Sequence, residues 1–250
     1  MQNSNAQKKE NFWLSLFLNI IIPVVILMKA EKWLVAAGLI AVDAIAPIWY
    51  FCIALAFPVC YGIWDLIAHK KWNAFAIFGV LNVLLTGTIG LFELSRDWII
   101  AKEAGIPALL GIIVLISAYT SKPLAKIMLY NDVLLDTKKL NAIIAEKNKE
   151  ADFKKSMIIS TLMIAASFFV SAIIQYFLAS WIYTEGASQK EFNEQVGQMT
   201  WIAYLVVLVP CMGLMMAAMF KTFGDLKKIT GLDFENMLSQ ELKDKESKTS

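Results

Sequence analysis

Six apolar stretches, each at least as long as the ~17 residues a helix needs to cross a hydrocarbon core of ~30 Å, constrain this chain more than any other feature. They run from Phe12 to Met28, Ala44 to Ile67, Trp72 to Phe92, Ala104 to Ser121, Met157 to Tyr183 and Val196 to Phe220. Asp, Glu, Lys and Arg are missing from the middle of each, with Asp65 at the end of the second. No water is available in a bilayer to pair with exposed backbone, so such stretches must close their hydrogen bonds internally as helices. The expected fold is therefore all-α: a polytopic membrane protein with six transmembrane helices and a cytoplasmic amphipathic segment. A composition that is 58% hydrophobic and only 18% charged fits no ordinary water-soluble domain. In this reading residues 1–221 form the membrane domain, 122–155 a cytoplasmic loop within it, and 222–250 a cytoplasmic C-terminal tail.

Orientation follows from the basic residues, because carrying Lys and Arg across a membrane is disfavoured. Lys8, Lys9, Lys70 and Lys71, eight lysines from Lys122 to Lys155 and six from Lys221 to Lys248 lie on one side of the expected bundle. The other side holds five of the 23 basic residues: Lys29, Lys32, Arg96, Lys102 and Lys190. Both termini are expected in the cytoplasm. Lys8 and Lys9 precede an apolar run, as in a secretory signal, but Lys29, Glu31 and Lys32 follow where a small-residue cleavage pattern would be needed. The first stretch thus reads as an uncleaved helix. Trp13, Trp72, Trp98 and Trp181 lie near the ends of stretches, where rings with one polar edge settle at the membrane surface.

Chemistry-bearing residues are scarce. One histidine, His69, and three cysteines, Cys52, Cys60 and Cys211, make up no set resembling a metal or haem site, and no cofactor is expected. His69 sits beside Lys70, Lys71 and Trp72, which suits an interfacial anchor better than a general base. A net charge of +2 without a concentrated basic face gives no basis for nucleic-acid binding. Asp43 and Asp65 are 22 residues apart, about 33 Å along one helix, so both are expected at the membrane surfaces, Asp43 as a helix cap. Glu93, Arg96, Asp97, Lys102 and Glu103 are expected in a solvated outer turn with local ion pairs. Nothing ionisable then remains at depth, which weighs against an ion-coupled pump.

The polar residues left near the midplane are amides and hydroxyls. Asn19 and Asn82, with Thr86, Thr88 and Gln175, are candidates for contacts between helices or for the lining of a polar cavity. Prolines are the second irregularity. Pro47 and Pro107 read as first-turn prolines, whereas Pro58 and Pro210 fall near mid-span, each followed by Cys and Gly, and are candidate kinks. Ordinary helix packing is the favoured reading of both prolines over a hinge or an opening between helices.

From Lys122 to Lys155, Asp136 and Thr137 precede an apolar stripe of Leu140, Ile143 and Ile144, with Lys138, Lys139 and Lys147 on other faces. That pattern predicts a helix lying on the cytoplasmic leaflet, its lysines facing anionic headgroups, or else docking a partner. The tail begins with Leu232, Phe234, Met237 and Leu238 and ends in the polar run Glu241 to Ser250, expected to be disordered. Directly after a span, Lys122, Pro123, Leu124, Lys126, Met128 and Leu129 resemble the intracellular septation protein A family of bacterial inner-membrane proteins. The likeness extends through Thr86 to Phe92, Trp98 to Ile116 and Ser167 to Trp181, about half the chain. A related group of six-span bacterial proteins looks similar too.

The resemblance implies a multi-pass protein of the bacterial inner membrane connected with septation or envelope maintenance, and it brings no catalytic residues. The expected function is a non-enzymatic structural or interaction component whose partners are membrane lipids, other inner-membrane or division proteins, or a second copy of itself. A channel or carrier for a small neutral or amphipathic solute is the alternative, using Pro58, Pro210, Asn19 and Asn82. A membrane-embedded enzyme acting through Glu93 or Asp43 comes third.

Overall fold

A computed structural model describes residues 21–36, 47–69 and 74–239, together with residue 242. Within them every regular element is a helix: α1 (Ile22–Ala36), α2 (Pro47–His69), α3 (Ala74–Leu91), α4 (Arg96–Ala118), α5 (Leu124–Leu129), α6 (Thr137–Glu146), α7 (Glu150–Ile182), α8 (Gln189–Val206), α9 (Leu208–Thr230) and α10 (Phe234–Met237). Three are long and apolar enough to cross a membrane: α4, α7 and the run Gln189–Thr230 that contains α8 and α9. They correspond to the fourth, fifth and sixth apolar stretches. α2 and α3 carry the shorter apolar runs Phe51–Cys60 and Leu81–Leu91. Most of the first stretch, with Asn19, lies outside the described residues, as does Asp43.

Several helix boundaries differ from the sequence reading: α1 ends at Ala36, α8 starts at Gln189 and α9 ends at Thr230, and two further differences bear on the site. α4 starts at Arg96, eight residues before the expected start, so Pro107 lies inside the helix rather than in its first turn. The apolar run Trp98–Ala101 and Asp97 in the first turn, favourable to the helix dipole, account for the earlier start. α7 starts at Glu150, and its 33 residues span ~50 Å, well beyond a hydrocarbon core. Its charged first turns therefore extend past the apolar part. Pro47 opens α2, where its missing N–H costs nothing.

The chain divides into two compact units, Met1–Glu103 with Gln175–Leu205 and Ala104–Ile174 with Val206–Ser250. In the first, Phe51 and Ala54 of α2, Ile89 of α3, Ile99 of α4, Ala179 of α7 and Met199 of α8 share one core. Small residues set how closely its helices approach. A Cβ on Gly90 would stand 2.6 Å from the Phe51 ring and 2.7 Å from that of Phe192, and one on Gly197 would stand 2.7 Å from Met28. Phe51 meets Phe192 edge-on at 5.7 Å between ring centres, an arrangement aromatic quadrupoles favour.

In the second unit α6 is capped as its sequence suggests, Asp136 accepting from the Lys139 N–H at 3.1 Å. Its apolar stripe does not face outward. Leu140 is fully buried and Ile144 nearly so, packed with Phe153 and Met157 of α7, Leu226 of α9 and Met237 of α10. The start of the tail closes this core: Leu238 bridges to Leu135, and the Asp136 N–H donates to the Met237 carbonyl at 2.9 Å. Leu140 and Ile144, expected against lipid, thus spend their apolar surface on protein, while Lys138 and Lys139 are exposed. α9 ends in the left-handed region at Gly231, φ +78°, and Lys147 donates to the Thr230 carbonyl there at 2.8 Å. Between α7 and α9 the Thr222 hydroxyl donates to Ser160 at 2.7 Å, both fully buried.

Candidate functional site

The densest polar arrangement in the first unit starts from a helical spacing. Asn82 and Thr86 are four residues apart on α3 and therefore share a face. Lys102, on α4, reaches that face. Its ammonium lies 3.0 Å from Asn82 Oδ1, 2.9 Å from Thr86 Oγ1 and 2.7 Å from Glu103 Oε1. Thr86 in turn donates to the Asn82 carbonyl at 3.0 Å, which leaves its lone pairs to the lysine. A lysine ammonium has three donors, and here each has an acceptor. The side chains of Lys102 and Glu103 are only 6% and 15% exposed, so the pair belongs to the interior.

This overturns the placement of Lys102 and Glu103 in a solvated outer turn. Lys102 is six residues into α4, about 9 Å from its start, and Asn82 is near the middle of α3. An unpaired ammonium at such depth would cost several kcal/mol. The adjacent carboxylate cancels the net charge, and the amide and hydroxyl take up the remaining protons. Hydropathy alone cannot reveal the arrangement, but two sequence signals point to it: Trp98–Ala101 puts Lys102 inside a helix, and a polar pair at i and i+4 in an otherwise apolar helix needs a partner.

Arg96 is half-buried and paired. Its Nε donates to the Tyr183 carbonyl at 2.6 Å and its Nη2 to the Ser180 carbonyl at 2.5 Å. Both carbonyls lie at the end of α7, where the last turn has no amides left to pair with and the dipole favours a cation. The Tyr183 ring is buried beside Phe192, and its hydroxyl is the one buried side-chain polar atom among the described residues without a hydrogen-bond partner.

Among the described residues, Thr88, Pro58 and Pro210 do not join this cluster. Gln175 is half-buried on α7 and Thr88 is exposed on α3, donating to the Leu84 carbonyl. Pro58 lies inside α2, which runs unbroken from Pro47 to His69. The helical run is interrupted at Val207, between α8 and α9, and Pro210 has no N–H to offer the Val206 carbonyl that closes α8. Cys52, Cys60 and Cys211 are free thiols, and no three His, Cys, Asp or Glu side chains among the described residues come together as metal ligands.

Fold and cluster together define an all-helical protein with three helices suited to a membrane and a neutralised ion pair in its interior. Comparison with known proteins gives no match: no family model, curated protein or solved structure is similar to the chain. The functional reading therefore rests on the geometry.

Proposed function

We propose that this chain is a six-span protein of the bacterial inner membrane, with both termini cytoplasmic, that acts without catalysis as a structural or interaction component of the envelope, septation included. The carrying observation is that Lys102 is fully coordinated by Asn82, Thr86 and Glu103. A buried ammonium with every donor used is a clamp between helices, and it has no donor to offer a solute without breaking that clamp. The apolar window of the Gln189–Thr230 run supports the interaction part, because only 6% of it is buried. Lipid, or an apolar helix of a partner, must cover the rest.

Solute flux tests this reading. Vesicles carrying the full chain should pass small neutral solutes no faster than protein-free vesicles. Flux above that baseline, lost in Asn82→Leu without unfolding, would establish the second reading, a passive carrier, which the unpartnered Tyr183 hydroxyl favours. Labelling of single cysteines in intact cells tests orientation: positions 70 and 138 should resist an impermeant reagent and position 189 should react.

A further inference from the structure

We propose that the second unit holds a binding site for a phosphate-bearing anion, the headgroup of an acidic lipid or a soluble phosphate, in the cavity between the start of α7 and the end of α9. The cavity measures about 380 Å³, within the range of small-ligand sites. Four lysines line it, Lys149, Lys155, Lys221 and Lys228, together with Asp152 and Asp225.

The charges do not cancel, and the way they pair shows which are left over. Lys149 is held by Asp152 at 2.8 Å, and Lys221 by Asp225 at 2.5 Å. Asp225 also accepts from the Ser156 hydroxyl at 2.7 Å, so both carboxylates are committed. Lys155 and Lys228 take part in no hydrogen bond or ion pair and are exposed, leaving the cavity with a surplus of two positive charges. Two phosphodiesters, or one dianionic phosphomonoester, match that surplus. Lysine is well suited to the task, presenting a mobile point charge with three donors to an anion that offers acceptors in every direction.

Position selects the same chemistry. Ile159 and Ile229 form the apolar part of the lining. On α7 the charge-free run begins immediately after Lys155, and on α9 it ends immediately before Lys221. The cavity is thus at the level where both helices pass from charged to apolar sequence, which in a membrane is the depth of the headgroups. That depth rests on the membrane reading given above, whereas the charge surplus does not.

The experiment compares the full chain with two variants of equal charge loss, Lys155→Gln/Lys228→Gln in the cavity and Lys122→Gln/Lys138→Gln on exposed positions elsewhere. Two arms separate the sources. In nanodiscs of phosphatidylcholine with phosphatidylglycerol, native mass spectrometry reads which lipid is retained. In neutral detergent at constant ionic strength, the thermal midpoint is followed against inorganic phosphate. Retention of the anionic lipid several-fold above its share, kept by the exposed variant and lost by the cavity variant, establishes a headgroup site. A phosphate-dependent rise in midpoint with the same variant pattern, without lipid preference, establishes a soluble phosphate as the ligand. Loss of binding to the same extent in both variants, or absence of both effects, overturns the proposal. The detergent arm requires no particular orientation, so a reversed topology in the labelling experiment leaves its outcome readable. Neither Lys155 nor Lys228 makes a hydrogen bond, though the Lys228 charge favours the Asp225 carboxylate, so a cooperative unfolding transition without ligand, at most slightly lowered, verifies that the cavity variant is folded.

Discussion

The ammonium of Lys102 lies 3.0 Å from the carboxamide oxygen of Asn82, tying α4 to α3 where the lysine is almost wholly buried. The two helices also meet through apolar residues, Ile99 of α4 and Ile89 of α3 belonging to the same core. Apolar contacts tolerate sliding, but a three-donor group with three acceptors does not, so the cluster specifies one register of α4 against α3. Arg96 adds a second fixed point by fastening the start of α4 to the last carbonyls of α7. The unit is held by directional bonds as well as by apolar contact.

Lys102→Met should destabilise the protein by about 3–5 kcal/mol, because it leaves the Glu103 carboxylate buried without its partner. Glu103→Gln should be costly for the converse reason. The double variant Lys102→Met/Glu103→Gln should lose much less than the sum of the two single losses, since it removes both charges together. Thermal unfolding of the four proteins in one detergent completes the cycle. Additive losses would mean that the pair is not coupled.

Gly90→Leu should disrupt the first unit, whose Phe51 and Phe192 rings leave no room for a side chain at that position. Gly90→Ala should cost about 1–3 kcal/mol by overpacking, and Phe192→Leu in the same chain should recover part of it. Gly105, whose Cβ would meet nothing within 4 Å, provides the control, Gly105→Ala remaining neutral or stabilising. Unfolding midpoints of these variants check the order.

What could be read from the sequence was what depends on runs of residues. Three apolar runs of bilayer length are enough to place α4, α7 and the α8–α9 run, because length and apolar character are properties of a run as a whole. What depends on pairing was not legible. Lys102 has the hydropathy of a solvent residue, and two of its three acceptors are 16 and 20 residues upstream in another helix. The stripe of Leu140 and Ile144 specifies an apolar face but not what covers it. That was decided by Leu226 and Met237, far along the chain, which bury the face in protein.

Tyr130 offers a spectroscopic test of that second core. Its hydroxyl donates to Asn141 at 2.9 Å, its ring packs 4.7 Å from that of Phe153, and burial, with the Asp132 charge adding, pushes the phenol up to about 12. The neutral phenol is favoured by the fold, so its contribution is complete below pH ~10, the unfolded value, and is lost as pH rises through about 12. Ultraviolet difference titration of wild type and Tyr130→Phe should isolate one tyrosine ionising near 12. Ionisation at an ordinary phenol value in the folded protein would mean that the ring is not packed against Phe153.

Asp225 should make the junction of α7 and α9 sensitive to acid. Burial alone would raise its carboxyl, but hydrogen bonds from Lys221 and Ser156 and the charges of Lys221 and Lys228 outweigh that and hold it below the usual value. Lys155 adds positive charge to the same cavity and Asp152 opposes it, already paired with Lys149. A depressed folded-state value means that the stabilisation is present above the unfolded carboxylate pKa of ~3.9 and disappears as pH falls through the folded one. Asp225→Asn should therefore lower the unfolding midpoint at pH 7 by more than it does in acid, the gap to wild type closing as pH falls through the folded-state value. Since the carboxylate is partly exposed, added salt should narrow the difference at pH 7. An equal gap between the two proteins at pH 7 and in acid would show that Asp225 acts through packing and not through its charge.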